Sequence, residues 1–270
     1  MSTGSTSAEL MMILQDAVHA VRLGGTKTRD ELGKLSAGDV ELKTSHKDWN
    51  PVTALDRSVE QEMAGFLRKR HPEHGFLGEE GVADSPGTAD HLWILDPIDG
   101  TANFIHGIPH YGVSIAYARS GLVLAAACLD PMRDELFTAL RSEGAWLNGQ
   151  PITASNATCL SESIVCTGFY YDRGEMMNRT LTTMRKLFHH RIHGIRRSGS
   201  AVLDICWTAA GRYDAYFEYE LSSWDFAAAA LVAEEAGTKV SAADGSPLTL
   251  DSVSFACAAP GVFSELLAVI

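Results

Sequence analysis

A strongly apolar run, Leu92-Trp93-Ile94-Leu95, stops at two aspartates, Asp96 and Asp99, and passes at once into Gly100 and Thr101. Asp-Pro and Asp-Gly pairs also make ordinary turns. A strand that delivers two like charges to its carboxyl end, however, where sites on α/β sheets open, needs a partner of opposite sign. Paired carboxylates suit a hard divalent cation, which takes oxygen ligands. Gly78-Glu79-Glu80 follows a second short apolar run and can bring a third carboxylate to the same edge, although a solvent-facing turn is the plainer reading. Asp225, in Ser222-Ser223-Trp224-Asp225-Phe226, precedes an alanine-rich stretch. It is expected to cap that helix, a role worth about 1 kcal/mol, and a cap position keeps the acid ionised and oriented for a cation; Trp224 reads as a packing residue. Gly100 and Thr101 supply the complement. Glycine permits close backbone approach, Ala102-Asn103-Phe104-Ile105 can open a helix, and the free N–H groups of a helix start bind phosphate. Carboxylates for Mg²⁺ and donors for an anion, a residue or two apart, point to phosphoryl chemistry. The chain has no G-x-S-x-G elbow, no Walker A sequence and no G-x-G-x-x-G followed by an acid, so the expected nucleophile is water.

These groups need elements to hold them. Leu10, Ile13, Leu14, Ala17, Val18 and Val21 recur at helical spacing and predict a helix from residue 8 to about 35, weakened or bent at Gly24-Gly25. A polar segment containing Lys43 and Lys47 ends at Asn50-Pro51. A second helix, from about Thr53 to Arg70, presents Val59, Met63, Phe66 and Leu67 on one face until His71-Pro72 stops it. A short strand, Gly75 to Leu77, leads into the Glu79 turn, and Asp84 to Asp90 is composed like a turn. Tyr111 to Ala118, Leu122 to Leu129 and Glu135 to Leu140, separated by Ser120-Gly121 and Asp130-Pro131, predict an antiparallel meander, with Asn148-Gly149 as a hairpin turn. Strands at Ile164 to Thr167 and Tyr213 to Tyr219 then alternate with helices at Met176 to Phe188, Ala201 to Ala210 and Asp225 to Ala236, the last ending at Gly237. The reading is an α/β protein in which residues 1–270 form a single compact catalytic unit. An α+β half carries the meander to about residue 155, and an α/β half runs from about 156.

Bulk properties narrow the chemistry. The 270 residues are 46% hydrophobic, enough for a large core, and 34 acids against 22 bases leave a formal charge of −12. Such a surface repels nucleic acid and anionic membrane, so neither is expected as a direct partner. No apolar run reaches the ~18 residues of a membrane span. Met1 to Ser7 show no secretory signal, and five cysteines without Cys-x-x-Cys spacing read as small buried hydrophobes of a reducing, cytoplasmic compartment. His189, His190 and His193 sit beside Arg191 at a helix end and read as surface, whereas His106 and His110 lie close enough to the aspartate motif to line a pocket.

In order along the chain, these segments resemble the inositol monophosphatase family of Mg²⁺-dependent, lithium-sensitive phosphatases. Asp96-Pro97-Ile98-Asp99-Gly100-Thr101 with Asn103-Phe104 is similar to the family's first signature. Trp224-Asp225-Phe226-Ala227-Ala228, continuing to Glu235-Ala236-Gly237, resembles the second. Gly78-Glu79-Glu80 resembles the shared acidic turn and Val52-Thr53-Ala54-Leu55-Asp56 the motif opening the second helix. Phe169, Arg197-Ser198-Gly199-Ser200-Ala201 and Ala210-Gly211-Arg212-Tyr213-Asp214 are similar to the bacterial branch.

The resemblance implies a layered αβαβα sandwich, a homodimer and two or three Mg²⁺ ions per subunit. It implies Glu79, Asp96 and the Ile98 carbonyl at a first ion, Asp96, Asp99 and Asp225 at a second, and Glu79 with waters at a looser third. Thr101, hydrogen-bonded to Asp56, and Glu79 are implied to act on the attacking water, and the N–H groups of Gly100 and Thr101, beside Asp99, to grip the phosphate. Glu218 is implied to hydrogen-bond the inositol ring, with Ser200 and Ala201 touching the same ring and Lys47, in preference to Lys43, as a mobile lysine. Ala102 stands where a second threonine is common and Thr238 where a second glycine often follows; neither departure removes a metal carboxylate. Glu218 and the short substrate loops favour inositol 1-phosphate. Fructose bisphosphate, histidinol phosphate and phosphoadenosine phosphate are alternatives on the same core. Some bacterial relatives act in RNA-polymerase antitermination complexes, so a regulatory partnership with the transcription machinery is the alternative of another class.

Overall fold

The computed structural model describes residues 7–34, 38, 40–42, 51–83, 90–169, 171 and 173–270. Lys43, Lys47 and most of the turn between Asp84 and Asp90 lie outside the described residues. In chain order the first half comprises α1 (Ser7–Glu31), β1 (Val40–Leu42), β2 (Pro51–Thr53), α2 (Ala54–Arg70), β3 (Gly75–Gly78), β4 (His91–Asp99) and α3 (Thr101–Ile105). A meander follows: β5 (Gly112–Arg119), β6 (Leu122–Asp130), β7 (Glu135–Leu140), β8 (Gly144–Leu147) and β9 (Gln150–Pro151). The second half comprises β10 (Ile164–Thr167), α4 (Glu175–His189), β11 (Gly194–Arg196), α5 (Ala201–Ala209), β12 (Ala215–Glu218), α6 (Ser223–Glu235), β13 (Lys239–Ser241), β14 (Phe255–Ala258) and α7 (Phe263–Val269).

Period-two alternation sorts the side chains into layers. In the seven-stranded sheet, ordered β3-β4-β5-β6-β7-β8-β9, Trp93, Leu95, Val113, Ile115 and Tyr117 face α1 and α2, where they meet Leu14, Val21, Val59, Met63 and Leu67. Ile94, Ala116, Ala126 and Phe137 point the other way, into a core shared with α5, α6 and the inner residues Cys166, Tyr216, Phe255 and Cys257 of the second sheet. That five-stranded sheet runs β11-β10-β12-β14-β13. Its outer residues, including Val165, Ala215, Phe217 and Ala258, pack with Leu187 of α4 and Leu266 of α7. The order is helix, sheet, helix, sheet, helix, the αβαβα sandwich expected. Asn148 (φ 48°) and Gly149 (φ 77°) both take positive φ between β8 and β9, as a type I′ hairpin requires. Among the described residues no helix is long and apolar enough to cross a membrane.

Gly24 and Gly25, expected to weaken or bend α1, do not interrupt it: the helix runs through them unbroken. A Cβ at Gly24 would lie 2.8 Å from Met63 Sδ and one at Gly25 2.4 Å from Leu129 Cδ2, so the glycines bring α1 close against α2 and β6. The cysteines are all free, but Cys159 is partly exposed while the other four are buried. The strands and helix beyond Gly237 (β13, β14, α7) are too short to show a period.

Three imidazoles form a file on the outer edge of this layer. The rings of His71 and His74 stack at 4.7 Å and those of His74 and His91 at 4.6 Å, with Asp16 Oδ2 2.8 Å from His71 Nε2 and Asp16 Oδ1 2.6 Å from Arg70 Nε. Burial, then the neighbouring His71 and His91, pushes His74 down to about 4. The folded state therefore holds fewer protons than the unfolded chain between the ordinary histidine range and pH 4, and stability falls as pH drops through that window. Replacing His74 by Phe is expected to make the melting temperature fall less between pH 6.5 and pH 4 than it does in the wild type; parallel curves would refute this.

Candidate active site

Near the end of β4, Pro97, which has no N–H, interrupts its ladder with β5: pairing holds to Asp96↔Ser114 and resumes out of register at Asp99↔Gly112. The irregularity lets both aspartates face one cleft. Asp96 is fully buried. Its Oδ1 accepts the Ile98 N–H at 3.1 Å, while its Oδ2 meets no hydrogen-bond donor among the described residues. Burial first, then Glu79, Asp99 and Asp225, holds its carboxyl well above the usual range.

Asp99 is neutralised in a way that needed the tertiary fold. The N-terminus of α5 is aimed at it: Ala201 N–H donates to Oδ1 at 3.2 Å, Val202 N–H to Oδ2 at 2.8 Å, and the Ser200 hydroxyl also donates to Oδ2. Burial raises Asp99 to about 7 against the lowering effect of those donors. Ser200 and Ala201, expected at the substrate ring, thus line the cleft while they hold Asp99. Asp225 does not cap α6 but lies inside its first turn, where Oδ2 accepts the Ser222 N–H at 2.6 Å. Ser222, equally good cap chemistry, takes the earlier position. One oxygen each of Asp96, Asp99 and Asp225 lies within 4.8 Å of the others, and Glu79 stands beside Asp96 and Asp225.

Gly100 (φ 97°) turns the chain from β4 into α3. Thr101 Oγ1 reaches Asp56 Oδ1 at 3.3 Å and Ile98 O at 3.1 Å. Asp56 is itself fixed by the capping box of α2, its Oδ2 accepting the Thr53 N–H at 2.9 Å. Asn103 clamps the corner, donating from Nδ2 to His110 O at 2.7 Å and Ser198 O at 2.9 Å.

The cleft encloses about 230 Å³. Glu79, Asp96, Ile98, Asp99, Gly100, Thr101, Ser200, Ala201, Glu218 and Asp225 all line it, and Asp56 stands behind Thr101. Trp224 lines it too and also packs on the core. Lys47 lies outside the described residues. His106 and His110 are not among the lining groups: His106 is exposed, and His110 is buried with Nε2 3.4 Å from Asp204 Oδ1. Asp204 and Tyr216 are cleft residues whose place no local pattern announced, and Arg197, which opens the Arg197-Ser198-Gly199-Ser200-Ala201 run, lines the cleft beside them. Tyr216 Oη donates to Glu218 Oε2 at 2.5 Å. Burial raises Glu218 to about 8, opposed by that bond and by Arg197.

The donor set fits a divalent cation. All the grouped ligand atoms are hard oxygens, the buried Asp96 Oδ2 meets no donor among the described residues, and the raised acids would be ionised by a positive charge between them. Asp96, Asp99 and Asp225 can hold such an ion.

Comparison with known proteins agrees with this geometry. The sequence pattern of the Inositol monophosphatase family matches residues 9–270. The chain is 41% identical over 262 residues to the Nus factor SuhB of Pseudomonas aeruginosa, covering 96% of this chain and 95% of that one. It is 37% identical over 246 residues to the inositol-1-monophosphatase of Rhizobium meliloti, covering 91% of each. The solved inositol monophosphatase of Anabaena (Nostoc) sp. PCC 7120 superposes with a TM-score of 0.85 at 33% identity, over 96% of this chain and 95% of that one.

Proposed function

Because the chain belongs to the inositol monophosphatase family, a family of metal-dependent phosphomonoesterases, we propose that it hydrolyses inositol 1-phosphate, or a closely similar polyol phosphate, with two or three Mg²⁺ ions. The observation that carries the reading is the meeting of Asp96, Asp99 and Asp225 oxygens within 4.8 Å of one another, beside the Gly100-Thr101 turn. When bound, Mg²⁺ makes water acidic enough to attack at neutral pH and offsets charge on the phosphoryl oxygens. Glu79, Asp96 and the Ile98 carbonyl hold one ion in this reading, Asp96, Asp99 and Asp225 another, with Glu79 serving a looser third.

The chain's own groups do the rest. With its hydrogen on Asp56, Thr101 Oγ1 presents a lone pair to the water and passes the proton on to the Asp56 carboxylate. The N–H groups of Gly100 and Thr101 hold the phosphate, and Arg197 supplies positive charge at the rim for an anionic ester. Glu218, braced by Tyr216, receives ring hydroxyls. The unit acts as a cytoplasmic homodimer in this reading.

The test is a comparison of kcat/KM for inositol 1-phosphate, fructose bisphosphate, histidinol phosphate and phosphoadenosine phosphate. Inositol 1-phosphate is expected to lead. Glu218→Ala should raise its KM about tenfold, the scale of one hydrogen bond to an ionisable group. The same change should leave the KM of p-nitrophenyl phosphate, which has no ring hydroxyls, where it was. Equal effects on both esters would remove Glu218 from the ring-binding role. The 41% identity to a protein named a Nus factor favours one second reading, a regulatory partnership with the transcription machinery. A flat substrate profile without turnover, together with co-purification of transcription proteins, would put that reading first.

A further inference from the structure

Glu60 is a buried acid that no functional motif includes. It lies four residues after Asp56 on α2, on the same face of the helix, and is 1% exposed. A carboxylate so deeply buried needs donors, and it finds two in the turn that follows β3. The Glu80 N–H donates to Oε1 at 2.7 Å and the Val82 N–H to Oε2 at 2.8 Å. The turn is otherwise closed by Gly78 N–H on Val82 O at 2.7 Å, and fastened to β4 by Glu79 N–H on Leu95 O at 3.3 Å. Glu79 therefore sits between two anchors: its own amide is tied to the strand that bears Asp96, and the next amide is tied to Glu60.

Gly78 shows how tight this fit is. A Cβ there would lie 2.1 Å from Glu60 Oε1, so the carboxylate occupies the space that any side chain at position 78 would need. The Gly-Glu-Glu sequence is thus explained from both ends. Glycine makes room for a buried acid reaching across from the helix, and that acid sets the path of the turn bearing Glu79.

We infer that Glu60 is a positioning residue for the metal site, holding Glu79 in place by clasping the backbone on its far side. One helix face then serves both arms of the chemistry: Asp56 orients Thr101, and one turn later Glu60 orients Glu79. The inference rests on the metal-dependent reading above. Groups that orient a metal ligand without touching the ion are worth about ten- to a hundredfold in metal affinity when removed.

Glu60→Gln tests it. The amide keeps the shape but places an NH₂ against a backbone N–H, so one of the two bonds is lost. Titration of Mn²⁺ into the metal-free protein, without substrate, is expected to show binding weakened by about tenfold or more. The metal concentration for half-maximal phosphate release should rise by the same factor, while KM for inositol 1-phosphate at saturating metal stays within about twofold of wild type. Glu60→Asp, too short to span both amides, should act in the same direction and serves if the glutamine variant does not fold. A folded variant with lowered melting temperature and wild-type Mn²⁺ affinity would overturn the inference and reduce Glu60 to a fold-stabilising tie. If the wild-type protein itself takes up no Mn²⁺, the metal reading fails first and this inference with it; the two failures are told apart by the wild-type titration.

Discussion

Asp96→Asn is expected to lower Mg²⁺-dependent phosphate release by at least ~10²-fold, the scale for losing a principal electrostatic group, while the metal-free protein melts higher than wild type. The opposite signs share one cause. Asp96 is fully buried among Glu79, Asp99 and Asp225, and its carboxyl is held well above the ordinary range by burial and those charges. Its folded state binds protons more readily than the unfolded chain, so without metal this acid costs increasing stability as pH rises from the normal carboxylate range through its raised value. Asparagine removes that cost and, with the same charge, the anionic ligand that would hold the cation. Melting curves with and without Mg²⁺ read both effects: the gain on adding the ion should shrink in the variant. Near-normal turnover in Asp96→Asn would sink the assignment.

The second large effect is expected at Gly100→Ala. The φ of 97° is already costly for any residue with a Cβ, by about 1–2 kcal/mol, and that Cβ would come within 2.8 Å of Gly199 O. Neither side yields easily, because Asn103 Nδ2 fastens the 198–199 segment and the chain before β5 to α3. Displacement of the Gly100-Thr101 amides by about an ångström should cut kcat/KM about 10²-fold. Gly121→Ala is the control: its φ of 78° is strained in a similar way, but a Cβ there meets nothing within 4 Å. It should lose stability and keep its turnover. Similar kinetic losses in both variants would show that backbone strain, not the position of the phosphate-facing turn, is being measured.

Much of this site can be read from local pattern because the chemistry is written in short runs. The apolar Leu92-Trp93-Ile94-Leu95 run has to stop at Asp96, Thr53 and Asp56 spell a capping box, and turns such as Ser120-Gly121 and Asn148-Gly149 mark off the meander strands. What stays hidden depends on approach between distant segments. Nothing near Asp99 in the chain announces that α5 points at it from 101 residues away, and nothing in Val-Glu-Gln marks Glu60 as the clasp of a turn 20 residues on. Asp225 illustrates a competition: two adjacent serines and an aspartate all favour a helix start, and only packing decides which one caps. Gly24 and Gly25 look like helix breakers until the neighbouring Met63 and Leu129 are in place.

Alpha-6 acts as a shim. Phe226 to Ala233 are buried on every side, with β4, the strand bearing both Asp96 and Asp99, along one flank and Phe255 of the other sheet stacked on Phe226 at 5.8 Å. Its run of single-carbon side chains gauges the distance between the two sheets, and the catalytic mouth is the place where that distance opens to solvent, with Asp96 on one jaw, Glu218 on the other and Asp225 at the tip of the shim itself. Thickening any of those alanines would spread the jaws, altering the aperture from a position that touches neither ion nor ester.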